Sequence, residues 1–316
     1  MNTVRRLLLV FWILAASGLA SSAPDDVQKL ASCVDHKDQA CVLACLKKPP
    51  AEPSADYFAV AARGYMLLGR KQEAVQAMEQ AVKRSPGRYE YLMQQGWLYQ
   101  RVGDQVSAVE SFLRASQINP QSSDVFYELG MSFFFAKENE RAIRHFKRAL
   151  QLDPKNDKAE FMIGVVDIWM DQLPEAKLHF ENALKLQPRN AHYLLHYGVL
   201  LSRLKELDPA PGKLDDHDPA FVSMLEARKI DPSNPLTRYQ LGKLYRKMGK
   251  LAEAREELEA AVRLRPNLSP ALYQLGLLYR QLGEEPKARA ALEKFAVLLQ
   301  QEKTGEEDPI DANLAE

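Results

Sequence analysis

Six prolines set the period of this chain. Pro86, Pro120, Pro154 and Pro188 fall 34 residues apart, and Pro232 and Pro266 repeat the interval. A fixed spacing of that size marks one recurring supersecondary unit, too small to bury its own apolar face and completed only by its neighbours. Other columns recur in step. Glycine and an aromatic residue come as Gly96-x-x-Tyr99, Gly130-x-x-Phe133, Gly242-x-x-Tyr245 and Gly276-x-x-Tyr279; alanine and phenylalanine come as Ala108-x-x-x-Phe112, Ala142-x-x-x-Phe146 and Ala176-x-x-x-Phe180. Glycine in a first helix and alanine in a second let two helices cross closely. The aromatics fill the space between hairpins, and proline stops the second helix before the next unit begins.

In period and in these columns the chain resembles the tetratricopeptide-repeat (TPR) family from about Ala55 to Leu299. The resemblance implies an all-α, right-handed α-solenoid of about seven helical hairpins. Their expected bounds are about 55–88, 89–122, 123–156, 157–190, 191–234, 235–268 and 269–303. In the fifth repeat Gly198 and Ala220 lie 22 apart, against 12 between Gly96 and Ala108, so an insert at about 206–216, with Pro209, Pro211 and Gly212, is expected to loop out between paired helices. Loop closure makes such an insertion inexpensive, on the order of 1 kcal/mol. In the seventh repeat the small-residue and proline columns become Phe295 and Gln300, and a long last helix reads as a polar terminal cap. The acidic tail 304–316 reads as disordered.

Ahead of the repeats, residues 1–23 have the layout of a secretory signal: Arg5 and Arg6, the apolar run Leu7 to Leu14, then small residues from Ala20 to Ala23. Export to the periplasm or outside the cell is expected, with a retained N-terminal membrane anchor as the alternative. In residues 24–54 two short helical patterns carry Cys33, Cys41 and Cys45, followed by Pro49, Pro50 and Pro53. After export, a disulfide from Cys33 to Cys41 or Cys45 is expected to close this helical cap. A metal or redox site there is disfavoured by the spacing, which has no C-x-x-C and only His36 nearby.

Basic and acidic residues balance at 42 each, which gives no general attraction to nucleic acid. No serine elbow, phosphate loop or dinucleotide fingerprint is present. No enzyme activity, cofactor or small-molecule substrate is expected. One weak metal candidate remains: His192 and His196, one helical turn apart, near the insert acids Asp215, Asp216 and Asp218. That set would suit a metal-dependent hydrolase only if the loop brought a carboxylate back.

The resemblance places partner binding on the concave face, built from first-helix residues facing away from the paired helix. In the second to fourth repeats these read Met93, Trp97, Tyr127, Met131, Phe134, Phe135, Phe161, Val165, Ile168 and Trp169. Phe126, Leu129, Phe133 and Ile163 serve hairpin packing. In the sixth and seventh repeats the face reads Tyr239, Lys243, Arg246, Lys247, Tyr273 and Arg280, cations among tyrosines suited to acidic groups. The family's carboxylate clamp is not reproduced, because Ala59 and Arg63 occupy that part of the first repeat. The expectation is an extracytoplasmic scaffold that binds another protein or peptide segment and helps assemble or stabilise an envelope complex. Self-association is the alternative use of the same surfaces.

Overall fold

The computed structural model describes residues 25–207 and 214–303. Residues 1–24, where a signal is expected, residues 208–213 with Pro209, Pro211 and Gly212 of the insert, and the tail 304–316 lie outside the described residues. These hold sixteen α-helices and no strand. Contacts divide the chain into two compact units, with the boundary in sequence after Val166.

The first unit begins with α1 (Asp25–Asp35) and α2 (Gln39–Lys47). Three hairpins follow: α3 (Ala55–Leu67) with α4 (Lys71–Arg84), α5 (Tyr89–Val102) with α6 (Gln105–Ile118), and α7 (Ser123–Phe135) with α8 (Asn139–Leu152). Helix α9 (Asp157–Trp169) enters the second unit near its end. That unit continues with α10 (Leu173–Leu186), α11 (Ala191–Leu207), α12 (Pro219–Ile230), α13 (Pro235–Lys247), α14 (Leu251–Leu264), α15 (Ser269–Gln281) and α16 (Glu285–Lys303).

Close helix crossing explains the glycine column. A methyl carbon added at Gly96 would lie 2.5 Å from the Phe112 ring, and one at Gly130 would lie 2.5 Å from Phe146. In the second unit Gly242 meets Leu258 and Gly276 meets Leu292, each at 2.6 Å. Opposite them Ala108, Ala142, Ala176 and Ala254 are completely buried, as are Phe112, Phe146 and Phe180. Any larger residue in either column would push the helices apart.

A second 34-residue column lies where the first helix turns into the second. Gly69, Gly103, Gly249 and Gly283 all have positive φ there, from 74° to 89°. Lys137 and Asp171 take the same place at φ 61° and 57°. The turn closes identically, with Lys137 N–H donating to Phe134 O and Glu138 N–H to Phe133 O, both at 2.9 Å. A residue with a Cβ is strained in this region, and glycine is not. Lys137→Gly and Asp171→Gly are each expected to stabilise the chain by about 1 kcal/mol, read as a higher thermal or urea midpoint with unchanged helicity.

The cap covers the first hairpin. A methyl carbon at Gly64 would meet Val42 at 2.9 Å, with Leu46 and Val34 just beyond. Arg63, nearly buried, pairs with Asp35 of α1, and Gln39 Nε2 donates to Leu67 O. The position that departs from the carboxylate clamp is therefore used to hold the cap. Within the cap, Cys33 is bridged to Cys41, and Cys45 is a half-buried free thiol.

The insert is less peripheral than its composition suggests. Helix α11 runs on to Leu207, so Glu206 is helical, and it pairs with Lys247. On the far side Leu214 packs against the core of Phe221, Met224, Leu241 and Leu244. Asp216 binds Lys250 through both carboxylate oxygens at 2.6 Å. Asp218 caps α12 by accepting from Ala220 N–H at 3.0 Å, and it also pairs with Lys205. Trimming the whole of 206–216 would remove the Glu206, Leu214 and Asp216 anchors and leave Asp218 in place. Leu214→Ala alone should cost about 1–2 kcal/mol, the lower range for a partly buried leucine, measured by chemical denaturation.

Candidate protein-binding faces

Burial sorts the first-helix positions. In the first unit Met93, Met131, Phe161 and Val165 are all buried, and in the second unit so is Tyr239. These five are core rather than open surface, which corrects their assignment to the binding face. A helix whose apolar residues run nearly all round is buried on several sides, and methionine adapts to the irregular space this leaves. Tyr127 is half-buried with its ring 5.7 Å from Phe146, so it also serves hairpin packing. Burial holds its phenol well above the usual range.

Still accessible in the first unit are Trp97, Phe134 and Phe135, all half-buried, with the two phenylalanine rings 5.8 Å apart. In the second unit Ile168 is half-buried, Trp169 is 47% exposed and Tyr273 is 41% exposed. Tyr273 packs its ring 5.2 Å from Phe295. The cationic residues divide as well. Lys247 is engaged by Glu206, the Lys243 ammonium lies 6.0 Å above the Tyr239 ring, and Arg280 is exposed. Arg246 is half-buried, and its Nε has no hydrogen-bond partner.

Sequence reading missed a polar set on the same helices. Gln94, Gln100, Glu128 and Ser132 stand among the apolar residues of α5 and α7. Gln100 Nε2 donates to Ser132 Oγ at 2.9 Å, and Ser132 Oγ donates to Glu128 O at 3.0 Å. Glu128 is 8% exposed. Burial raises its carboxyl to about 7, and Asp124 adds to this; hydrogen bonding from Trp97 and Gln100 and the charge of Lys158 oppose it. Glu128 Oε2 and Gln94 Oε1 are buried acceptors without a donor. The signal was available: the repeat column that holds Gln94 and Glu128 also holds His196, Gln240 and Gln274, polar residues on otherwise apolar helices.

His192 and His196 do meet, with ring centroids 4.4 Å apart. Burial lowers His192 to about 4 and holds His196 well below its usual range. The carboxylates needed for a metal site are engaged elsewhere: Asp215 accepts from His217 N–H at 2.9 Å, and Asp216 and Asp218 hold Lys250 and Lys205. Among the described residues no third ligand joins the pair. A surface recess lined by Lys71, Gln72, Val75 and Glu79 contains no nucleophile beside a base.

The folded value of Glu128 lies above its ordinary 4.5. Its stabilising contribution is thus complete below about 4.5 and is lost as pH rises through about 7. Between pH 5 and pH 8 this one group should cost about 2–3 kcal/mol, and Glu128→Gln should flatten that part of the stability profile in thermal melts across the range.

Comparisons with known proteins agree with the architecture. Family models described as tetratricopeptide repeat match residues 60–123, 123–156 and 270–297, and one described as TPR repeat matches 242–283. Among solved structures, a tetratricopeptide repeat protein from Parabacteroides merdae aligns with TM-score 0.59 at 16% identity, over 77% of this chain and 93% of that one. The structure titled for Pseudomonas aeruginosa pilF aligns at 0.57 and 19%, over 73% and 97%. A chain of the Cut9–Hcn1 hetero-tetramer of the APC/C aligns at 0.60 and 15%, over 87% of this chain and 52% of that one. The search of curated proteins finds no match. With the period, the close-crossing columns and the matched models in agreement, the chain is built from tetratricopeptide repeats, a fold that serves as a protein-interaction scaffold.

Proposed function

We propose that this protein is an exported scaffold whose two units each offer a first-helix face to a segment of a partner protein, in the assembly or stabilisation of an envelope complex. The observation that carries this reading is the pair of buried, donorless acceptors, Gln94 Oε1 and Glu128 Oε2, on helices that also present Trp97, Phe134 and Phe135. Buried polar atoms without partners are rare in native proteins. A bound segment would supply N–H donors to them while its apolar side chains covered the aromatics, the residue type enriched at interfaces. In the second unit, half-exposed Trp169 and Tyr273 offer the same kind of anchor. Export rests on the signal pattern of residues 1–23, and the envelope role rests on export.

Affinity capture from envelope extracts, with the chain lacking residues 1–23 as bait, tests the reading. The double change Phe134→Ala and Phe135→Ala, and separately Trp169→Ala, should weaken capture about thirtyfold, or about 2 kcal/mol, as loss of an interface anchor does. Trp169→Ala should leave the melting temperature nearly unchanged, because the side chain is half exposed. Trp97 is a poorer probe, since its loss also removes a hydrogen bond from Glu128. Undiminished capture by both variants would overturn the proposal, and recovery of the bait's own sequence alone would favour self-association.

A further inference from the structure

The N-terminal cap gathers more sulfur than its bridge uses. Cys33 comes from α1, while Cys41 and Cys45 stand one turn apart on α2. The turn between the helices passes through Lys37 at φ 56°, and Asp38 Oδ1 accepts from Cys41 N–H at 3.0 Å, which fixes the start of α2. All three Sγ atoms lie within 4.8 Å of one another, and they are the one group of three or more metal-ligating side chains so placed among the described residues. The Cys33 and Cys45 sulfurs are 4.0 Å apart, although they are not bonded.

We propose that the reduced cap is a three-thiolate site for one soft, monovalent metal ion, Cu(I), held by Cys33, Cys41 and Cys45, and that the Cys33–Cys41 bridge is the closed form of this site. Thiolates bound to one metal at about 2.3 Å stand roughly 3.8–4.0 Å apart around it. Cys33 and Cys45 already have that spacing, and opening the bridge frees Cys41 to reach it. Zn(II) is the poorer occupant, because it takes four ligands and, among the described residues, no imidazole or carboxylate joins the sulfurs. His36 directs Nδ1 to Ser32 O at 2.8 Å. Thiolates select soft ions such as Cu(I), and the same two helices carry the buried apolar residues Leu30, Val34 and Val42.

The chemistry balances without a change in the metal's oxidation state. A dithiol reductant supplies two electrons and two protons, the Cys33–Cys41 bond becomes two thiols, and the dithiol becomes a disulfide. Binding of Cu(I) by three thiols then releases three protons to solvent. Reoxidation by a disulfide oxidant, which takes the two electrons from Cys33 and Cys41 and two protons from solvent to become a dithiol, re-forms the bridge, removes two of the three ligands and expels the ion.

The full chain, reduced with a phosphine and desalted without oxygen, would be titrated with Cu(I) presented as its bicinchoninate complex. One Cu(I) per chain is expected for the reduced protein, with ultraviolet thiolate-to-copper absorption, and none for the oxidised protein. Cys45→Ser leaves the bridging pair intact, and circular dichroism of its oxidised form checks the fold. After reduction it should bind Cu(I) at least about tenfold more weakly. Equal binding by reduced wild type and Cys45→Ser would overturn the proposal, as would equal binding by oxidised and reduced wild type, no withdrawal of copper, or tighter retention of Zn(II) than of Cu(I).

Discussion

Everything in this fold depends on how closely two helices of a hairpin can approach. At Gly96 and Gly130 a phenylalanine ring from the second helix lies over bare backbone, and at Gly242 and Gly276 a leucine does the same. The missing side chain lets dispersion contacts form across the whole crossing, and the fully buried alanines opposite complete it. Each hairpin then exposes apolar surface that only a neighbour can cover, so the repeat is both the smallest piece and the reason for the next. The second unit adds a polar element to this plan: Glu257, almost wholly buried, joins Arg228 of α12 to Arg238 of α13. Such a charge is tolerable in the interior only because two guanidiniums share it.

Much of this was legible in the sequence because packing of this kind leaves periodic marks. Glycine, alanine and proline recur at fixed spacing because close helix crossing and helix termination favour them. Side-chain exposure is harder to read. Met93, Met131, Phe161, Val165 and Tyr239 lie on the expected outer side of their helices, yet all five are buried. A helix considered singly has an outside; the same helix between two others has much less. Glu128 was overlooked for the matching reason: a lone glutamate in an apolar helix reads as solvated until its surroundings are known.

Two further differences arise from contacts distant in sequence. Arg63 looked like a departure from a binding motif, but its partner is Asp35, 28 residues earlier. The insert looked like slack chain, but its flanking residues meet Lys247 and Lys250, more than 30 residues later. Neither pairing has a periodic signature. By contrast, the cysteine cluster follows from an ordinary helical turn placing Cys41 and Cys45 on one side of α2, with Cys33 facing them from α1. Linear spacing alone hid that arrangement, because the third sulfur comes from the other helix.

The cap also bears on assembly. A stack of like hairpins is a polymer in miniature: its end shows the surface that the next subunit would use, and a second molecule can add head to tail without limit. Here Val42 and Leu46 occupy the space in front of Gly64, and Asp35 occupies Arg63, so the terminal hairpin of the first unit is already seated against its own chain. Growth at that end is stopped in the same manner as a chain terminator stops a polymer. That face of the first hairpin is closed to a second copy for as long as α1 and α2 remain docked.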